Sequence, residues 1–143
     1  MNLDILCEQT VAIAKQAGEF IRKERNQFNS NSIEVKGLHN FVSYVDKGSE
    51  QLIVDGLRKI LPQAGFIAEE GTGTPNQSGL NWIIDPLDGT TNFIHSLPPF
   101  AVSIALMENN KLLLGVIYEI GLNECFWATA TGNVYMDGKR ISV

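Results

Sequence analysis

Cysteine is scarce in this chain of 143 residues, and so are the patterns that would give cysteine a special role. The two cysteines, Cys7 and Cys125, stand alone, with no CxxC spacing and no accompanying histidine pattern. A zinc site needs clustered ligands and a disulfide-stabilised fold needs several paired cysteines, so the sequence indicates neither. We expect both cysteines to be small residues of the hydrophobic core.

Positive charge is sparse as well. The chain has 11 Lys and Arg against 16 Asp and Glu, which gives a formal net charge of −5 and an isoelectric point near 4.9. Because nucleic-acid binding relies on a dense basic surface, this composition argues against a nucleic-acid partner. An anionic substrate would instead need cations bound at a single site to compensate its charge.

Long apolar runs are missing too. No stretch approaches the length needed to cross a bilayer, and residues 1–18 contain Asp4 and Glu8 where a secretory signal would be basic and then apolar. We therefore expect a cytoplasmic protein without membrane contact. Hydrophobic residues make up 44% of the chain and charged residues 19%, a balance typical of one globular domain over residues 1–143.

Hydrophobic periodicity predicts two helices followed by strands. Apolar residues at helical spacing indicate helices over residues 3–25 and 46–61, with a polar loop over residues 26–40 that includes a short extended piece at 33–35. Shorter apolar runs between turn residues predict strands at 65–68, 81–84, 101–107, 112–119, 124–129, 134–136 and 141–143. Two helices on one face of a mostly antiparallel sheet make an α+β fold.

The most informative segment is residues 82–93, with the sequence WIIDPLDGTTNF. Pro86 is expected to turn the backbone out of a strand, so that the carboxylates of Asp85 and Asp88 point at one place. A shared divalent cation would explain two like charges held together. Gly89 would let the chain approach an anion, and the amides of residues 89–91 would point at phosphate oxygens if a helical turn begins there. The simpler alternative is an ordinary loop, because Pro and Asp-Gly are common in turns.

Residues 82–95 resemble the corresponding motif of the magnesium-dependent, lithium-sensitive phosphatases typified by inositol monophosphatase. Residues 66–70, with the sequence FIAEE, resemble the strand that ends in the metal-binding glutamate of that family. Residues 41–46, together with Glu50, resemble the segment that leads into its second helix. The resemblance implies a sugar-phosphatase fold.

Members of that family continue, beyond the region resembled, into a second half that carries a Trp-Asp-x-Ala-Ala type motif. This chain does not contain that motif. The resemblance therefore implies an amino-terminal half, and we expect the carboxy-terminal half to be absent. Such a half would expose an apolar patch unless another chain covers it.

The resemblance also implies a set of metal ligands. One Mg²⁺ would be held by the carboxylates of Glu69 and Asp85 and by the main-chain carbonyl of Leu87. A second Mg²⁺ would be bridged by Asp85 and held by Asp88 together with the aspartate of the missing motif.

The reaction implied by the resemblance is the hydrolysis of a small alcohol phosphate, with inositol monophosphate as the leading substrate. Phosphate would bind at Asp88, Gly89 and Thr90. Glu69, Thr90 and Asp46 would be catalytic, with Asp46 paired to the Thr90 hydroxyl so that Thr90 orients the attacking water.

Each of these residues also has a plainer interpretation. Asp46 is a good candidate for a helix N-cap, and Thr90 for a cap of the turn after Gly89. Glu69 and Glu70 would serve equally well to solvate a strand end. Lys36 resembles a family lysine near the phosphate, but a solvated lysine is the simpler interpretation.

A second functional hypothesis belongs to another class. A truncated or split chain could bind metal and phosphate with little or no catalysis and act as a binding or assembly subunit. The sequence leaves open whether the chain forms a homo-oligomer.

Overall fold

Residues 1–28 and 35–142 are described by a computed structural model, and within them lie three helices and a seven-stranded sheet. The two long helices pack on one face of the sheet, which confirms the predicted α+β class. In chain order the elements are α1 (Leu3–Gln27), α2 (Val35–Ile60), β1 (Gly65–Ala68), β2 (Leu80–Asp88), α3 (Thr90–Ile94), β3 (Ala101–Glu108), β4 (Lys111–Glu119), β5 (Glu124–Thr129), β6 (Val134–Met136) and β7 (Lys139–Ile141).

The strands lie in the sheet in their order along the chain. β1 and β2 run parallel, with Ala68 opposite Ile84, and each later pair is antiparallel. Because parallel strands end at the same edge of a sheet, the residues that follow Ala68 and Ile84 emerge together. This single parallel pair positions the candidate site.

Helix α1 begins at a side-chain cap. The Asn2 Oδ1 atom accepts hydrogen bonds from the amides of Asp4 and Ile5 at 3.1 and 3.2 Å, which satisfies two of the main-chain donors that a helix start leaves free. The buried stripe of this helix faces the sheet, and it consists of Leu6, Cys7, Thr10, Ile13, Ala14, Ala17, Gly18 and Ile21.

Helix α2 begins at Val35, so the predicted start at residue 46 is wrong. Residues 35–40 are helical in spite of Gly37 and Asn40, because the apolar stripe continues upstream through Leu38, Phe41 and Val42. Tertiary packing thus outweighs weak local helix propensity. The remainder of the predicted loop, residues 29–34, lies outside the described residues, as does the side chain of Lys36.

Two strands differ from their predicted bounds by more than one residue. β2 extends through Asp88 instead of ending at residue 84, because Asp88 still pairs with Ala101 of β3. The last strand is Lys139–Ile141 instead of residues 141–143, since it is set by pairing with β6 across the turn at Asp137. Val143 lies outside the described residues.

A glycine allows α1 to approach the sheet closely. A Cβ atom at Gly18 would overlap the ring of Tyr118 in β4, lying 2.5 Å from its Cδ2 atom. Tyr118 is buried, and its hydroxyl group hydrogen-bonds Arg22 at 3.0 Å and Asn123 at 2.5 Å, so the ring has little freedom to move. The contact between α1 and β4 therefore requires glycine at this position.

The opposite face of the sheet is apolar and open. One cross-strand row on this face runs through Ile67, Ile83, Ala105, Gly115 and Ala128. Ile67 is 43% exposed and Ile117, in the next row, is 50% exposed. Two hollows of about 330 and 240 Å³ share the three small residues of the row. An apolar patch of the expected kind is therefore present.

Cys7 and Cys125 are free and buried, as the sequence predicts. Burial raises the pKa of each thiol to about 11, which makes both poor nucleophiles at neutral pH. Across residues 1–28 and 35–142, none of the helices combines the length and the apolar character of a membrane span.

We expect Gly18→Ala to lower the free energy of unfolding by about 1–3 kcal/mol, because overpacking against Tyr118 outweighs the gain in helix propensity. Gly115→Ala is the matched control, since its added methyl group would meet no atom within 4 Å. Urea unfolding followed by tryptophan fluorescence measures both changes. Equal stability of the two variants would contradict the proposed contact.

Candidate functional site

Two acidic side chains meet where β1 and β2 end. Glu69 directly follows β1, and its amide donates to the carbonyl of Ile84 at 3.3 Å, so the strand pairing carries it alongside Asp85. The Glu69 side chain is exposed to solvent at this edge of the sheet. Hydrogen bonding to Asp85, then desolvation and the negative charges of Asp85, Asp46 and Glu70, raise the pKa of Glu69 from 4.5 to about 7.

Asp46 of α2 faces the same acidic group. Its pKa is raised from 3.8 to about 6, first by desolvation and then by the negative charges of Glu70, Asp85 and Glu50. Asp46 lies in the middle of α2, eleven residues after its start at Val35, so the N-cap interpretation is wrong. The structure therefore brings Asp46, Glu69 and Asp85 into one electrostatic cluster.

The segment after Asp85 stays in the sheet as a bulge, and the prediction that Pro86 turns the chain out of the strand is wrong. Asp85 pairs with Ser103 and Asp88 pairs with Ala101, so β2 has one more residue than β3 between these two pairs. Within the bulge the Asp85 Oδ1 atom accepts a hydrogen bond from the amide of Leu87 at 3.2 Å. The buried side chain of Leu87 anchors the segment in the core.

The Thr90 hydroxyl group donates to the carbonyl of Leu87 at 3.4 Å. The sequence predicted that this hydroxyl pairs with Asp46, and within the described residues that hydrogen bond is not made. Local geometry explains the difference, because Thr90 follows Leu87 by three residues in a tight turn, whereas Asp46 belongs to a separate element.

Gly89 joins the bulge to the short helix α3. It has φ +85° and ψ +42°, a left-handed conformation that favours glycine, and a Cβ atom there would lie 2.7 Å from the carbonyl oxygen of Pro99. The first main-chain hydrogen bond of α3 runs from the amide of Phe93 to the carbonyl of Gly89 at 2.9 Å. The amides of residues 90–92 therefore precede the helical ladder.

Arg25 at the end of α1 supports α3 from the other side. Its Nε atom donates to the carbonyl of Phe93 at 3.3 Å, and its Nη2 atom bonds the hydroxyl of Ser96. The guanidinium group also lies 5.9 Å from the centre of the Phe93 ring. Asn92 Nδ2 bonds the carbonyl of Pro99 at 2.8 Å. These contacts hold the turn that carries Gly89 and Thr90.

Sequence reasoning missed the supporting role of two adjacent residues of α2, Ser49 and Glu50. The Ser49 hydroxyl donates to the carbonyl of Pro86 at 2.9 Å. The carboxylate of Glu50 accepts hydrogen bonds from the loop that follows Glu69. A signal existed in the sequence, because both polar residues fall on the apolar stripe of an amphipathic helix, where buried polar groups need partners.

The donor atoms suit a hard divalent cation, because two neighbouring carboxylates repel each other unless a proton or a cation lies between them. In the part of the chain that is described, no three acidic, histidine or cysteine side chains are arranged around one metal position. The available side-chain ligands are therefore the Glu69 and Asp85 pair. Further ligands would be water or a main-chain oxygen such as the Leu87 carbonyl. Asp88 is exposed at the end of β2, outside this pair.

Comparison with known proteins identifies the family of this chain. Residues 2–143 match the sequence profile of the Inositol monophosphatase family. The chain belongs to the inositol monophosphatase family. This confirms the resemblance noted in the sequence.

Individual relatives give the extent of the match. Inositol-1-monophosphatase of Mesorhizobium japonicum is 37% identical over 144 aligned residues, which cover 100% of this chain and 54% of the relative. Nus factor SuhB of Escherichia coli K12 is 40% identical, with 92% of this chain and 49% of the relative covered. The solved inositol monophosphatase of Anabaena aligns with a TM-score of 0.80 and 31% identity, covering 100% of this chain and 51% of that structure. The chain thus spans about half the length of the curated relatives it matches.

The acidic cluster predicts an unusual pH dependence of folding stability for the metal-free chain. Glu69 and Asp46 have raised pKa values of about 7 and about 6, so between pH 8 and pH 5 the folded state takes up protons that the unfolded state does not. Stability must therefore rise as the pH falls through this window. We expect the thermal midpoint in EDTA to be higher at pH 5.5 than at pH 8.

Asp85→Asn tests the origin of this effect. Removal of the charge and the hydrogen bond that raise the pKa of Glu69 should flatten the profile. Asp55→Asn is the same chemical change at an exposed position of α2, and its profile of stability against pH should match that of the parent chain. A parent profile that falls from pH 8 to pH 5.5, or one that Asp85→Asn does not change, would contradict the assignment.

Proposed function

We propose that the chain is the metal- and phosphate-binding part of a Mg²⁺-dependent phosphomonoesterase that acts on a small alcohol phosphate. The observation that carries this proposal is the strand pairing that places Glu69 beside Asp85 at the shared end of β1 and β2, with Ala68 opposite Ile84 and the Glu69 amide bonded to the Ile84 carbonyl. Such a pair is costly in a protein of net charge −5 unless a cation neutralises it. Magnesium commonly takes one or two carboxylates and completes its shell with water and phosphate oxygens.

Glu69, Asp85 and the Leu87 carbonyl would hold the first Mg²⁺, and Asp85 and Asp88 would contribute to a second. Bound Mg²⁺ supplies positive charge against the phosphate oxygens and makes water a stronger acid. Glu69 is also proposed as a catalytic residue, because a carboxylate that holds the first Mg²⁺ would lie next to the water on that ion and would accept a hydrogen bond from it.

Thr90 and Asp46 are the other catalytic residues of the proposal. While the Thr90 hydroxyl donates to Leu87, its oxygen can still accept a hydrogen bond from water and so orient that water. Asp46, with a pKa near 6, suits a proton acceptor at neutral pH. Asp88, Gly89 and Thr90 would contact the phosphate, and the absence of a side chain at Gly89 lets an anion approach the backbone.

The substrate proposed is inositol monophosphate. The support is the motif over residues 82–95 and the similarity to relatives such as the inositol-1-monophosphatase of Mesorhizobium japonicum. Lithium sensitivity and a cytoplasmic location belong to the same proposal.

A binding or assembly role with little turnover is the second candidate. It is favoured by one observation: Asp88 joins no three-residue acidic site among the described residues. A second ion short of one ligand would bind weakly, and stabilisation of the leaving group would weaken with it.

Phosphate release from inositol 1-phosphate separates the two candidates. We expect the chain to release phosphate only with Mg²⁺ and to be inhibited by Li⁺. Asp85→Asn should lower the rate at least about 100-fold, since it removes a shared metal ligand and a centre of transition-state charge stabilisation. Asp55→Asn is the matched control and should keep the parent rate. Metal binding without phosphate release would favour the second candidate, and the absence of both would refute the proposal.

A further inference from the structure

A buried carboxylate lies behind the acidic pair. Glu50 of α2 has a relative exposure of 0%, and it is not one of the proposed ligands of metal or phosphate. Its Oε1 atom accepts a hydrogen bond from the amide of Glu70 at 2.9 Å. Its Oε2 atom accepts from the amide and the hydroxyl of Thr72 at 3.1 and 2.6 Å. All three donors belong to the loop that follows Glu69.

The three donors are needed, because a charged group with no exposure to solvent is strongly destabilising unless hydrogen-bond donors surround it. Three hydrogen bonds to an ionised carboxylate are each stronger than bonds between neutral groups. They tie residues 70–72 to one turn of α2. Glu69, the residue directly before this loop, is thereby restrained from both sides, since its own amide bonds Ile84 of β2 at 3.3 Å.

The preceding residue of α2 restrains the second acid-bearing segment. Ser49 is also fully buried, and its hydroxyl donates to the Pro86 carbonyl at 2.9 Å. Pro86 directly follows Asp85. Adjacent residues of one rigid helix are therefore bonded to the backbone beside Glu69 and to the backbone beside Asp85.

These restraints oppose a repulsive force. Without a cation or a shared proton, the charges of Glu69 and Asp85 push the two segments apart. A mobile loop would relieve the repulsion by moving Glu69 away from Asp85. Cation binding would then have to order the loop again. A loop held in place keeps both ligands at the cation position, so less binding free energy is lost in ordering them.

We propose that Glu50 is a positioning residue that fixes Glu69 next to Asp85, with Ser49 fixing the Asp85 side, and so sets the affinity of the site for a divalent cation. This inference rests on the proposed function, because it takes the acidic pair to be a cation site. Glu50 itself contacts the loop and not the cation.

Mn²⁺ serves as the probe, because its binding is followed directly by electron paramagnetic resonance without any need for catalysis. We expect Glu50→Gln to weaken Mn²⁺ binding about tenfold or more, the effect typical of residues that orient metal ligands. The glutamine keeps the size of the side chain but places an NH₂ group against the donors of the loop. Ser49→Ala should weaken binding in the same direction.

Glu119→Gln is the matched control. The Glu119 carboxylate is also buried and accepts three main-chain hydrogen bonds, from Phe100, Gly121 and Leu122. It lies on β4, separated from β1 by two strands, and none of its partners is a proposed metal ligand. We expect a comparable loss of stability, measured by urea unfolding, with Mn²⁺ affinity within about twofold of the parent chain.

Thr72→Val keeps the test decisive if Glu50→Gln does not fold. This change removes only the hydroxyl that donates to Glu50 at 2.6 Å and preserves the shape of the side chain. It should weaken Mn²⁺ binding by a smaller factor than Glu50→Gln. Parent chain that binds no Mn²⁺ would refute the proposed cation site. A different result would refute the positioning role alone: the parent chain binds Mn²⁺, and the Thr72→Val and Glu50→Gln variants bind it as tightly as the Glu119→Gln variant does.

Discussion

Electrostatic repulsion between two carboxyl groups, those of Glu69 and Asp85, is the constraint on which the rest of the site depends. Strand pairing places them side by side, and a proton or a cation between them would relieve their repulsion, in line with the raised pKa of about 7 for Glu69. Asp46 adds a third acid with a raised pKa of about 6. A fold that keeps these groups together needs packing and hydrogen bonds that offset their repulsion.

Secondary-structure elements, which are the most rigid segments of the fold, hold the two acids in place against their repulsion. The one parallel strand pair, β1 with β2, delivers Glu69 and Asp85 to the same edge of the sheet. Helix α2 then binds the backbone beside each acid through Ser49 and Glu50. Rigid secondary structure holds ligand positions more closely than free loops do, which is what a metal site needs. The site is therefore built by contacts between elements rather than by the acidic motif alone.

The face of the sheet opposite the helices is open and apolar. A sheet with helices on one side leaves its other apolar side to solvent, and Ile67 and Ile117 are exposed there. The sequence predicted an apolar patch from the family resemblance, but its shape, with small residues across the centre, follows from strand register. Register depends on pairing between distant residues, such as Ile83 with Ala105, which local sequence does not reveal.

Sequence by itself determined the α+β class and most strand positions, and it identified Glu69, Asp85 and Asp88 as candidate ligands, because alternation, helical spacing and a distinctive motif are local signals. Only the tertiary structure decided that α2 begins at Val35, that Asp46 lies within that helix, and that Thr90 donates to Leu87. It also decided the part played by Glu50, whose partners lie 20 and 22 residues along the chain. The reason is that a buried polar group takes its role from whichever donors packing brings to it, and packing joins residues that are far apart in sequence.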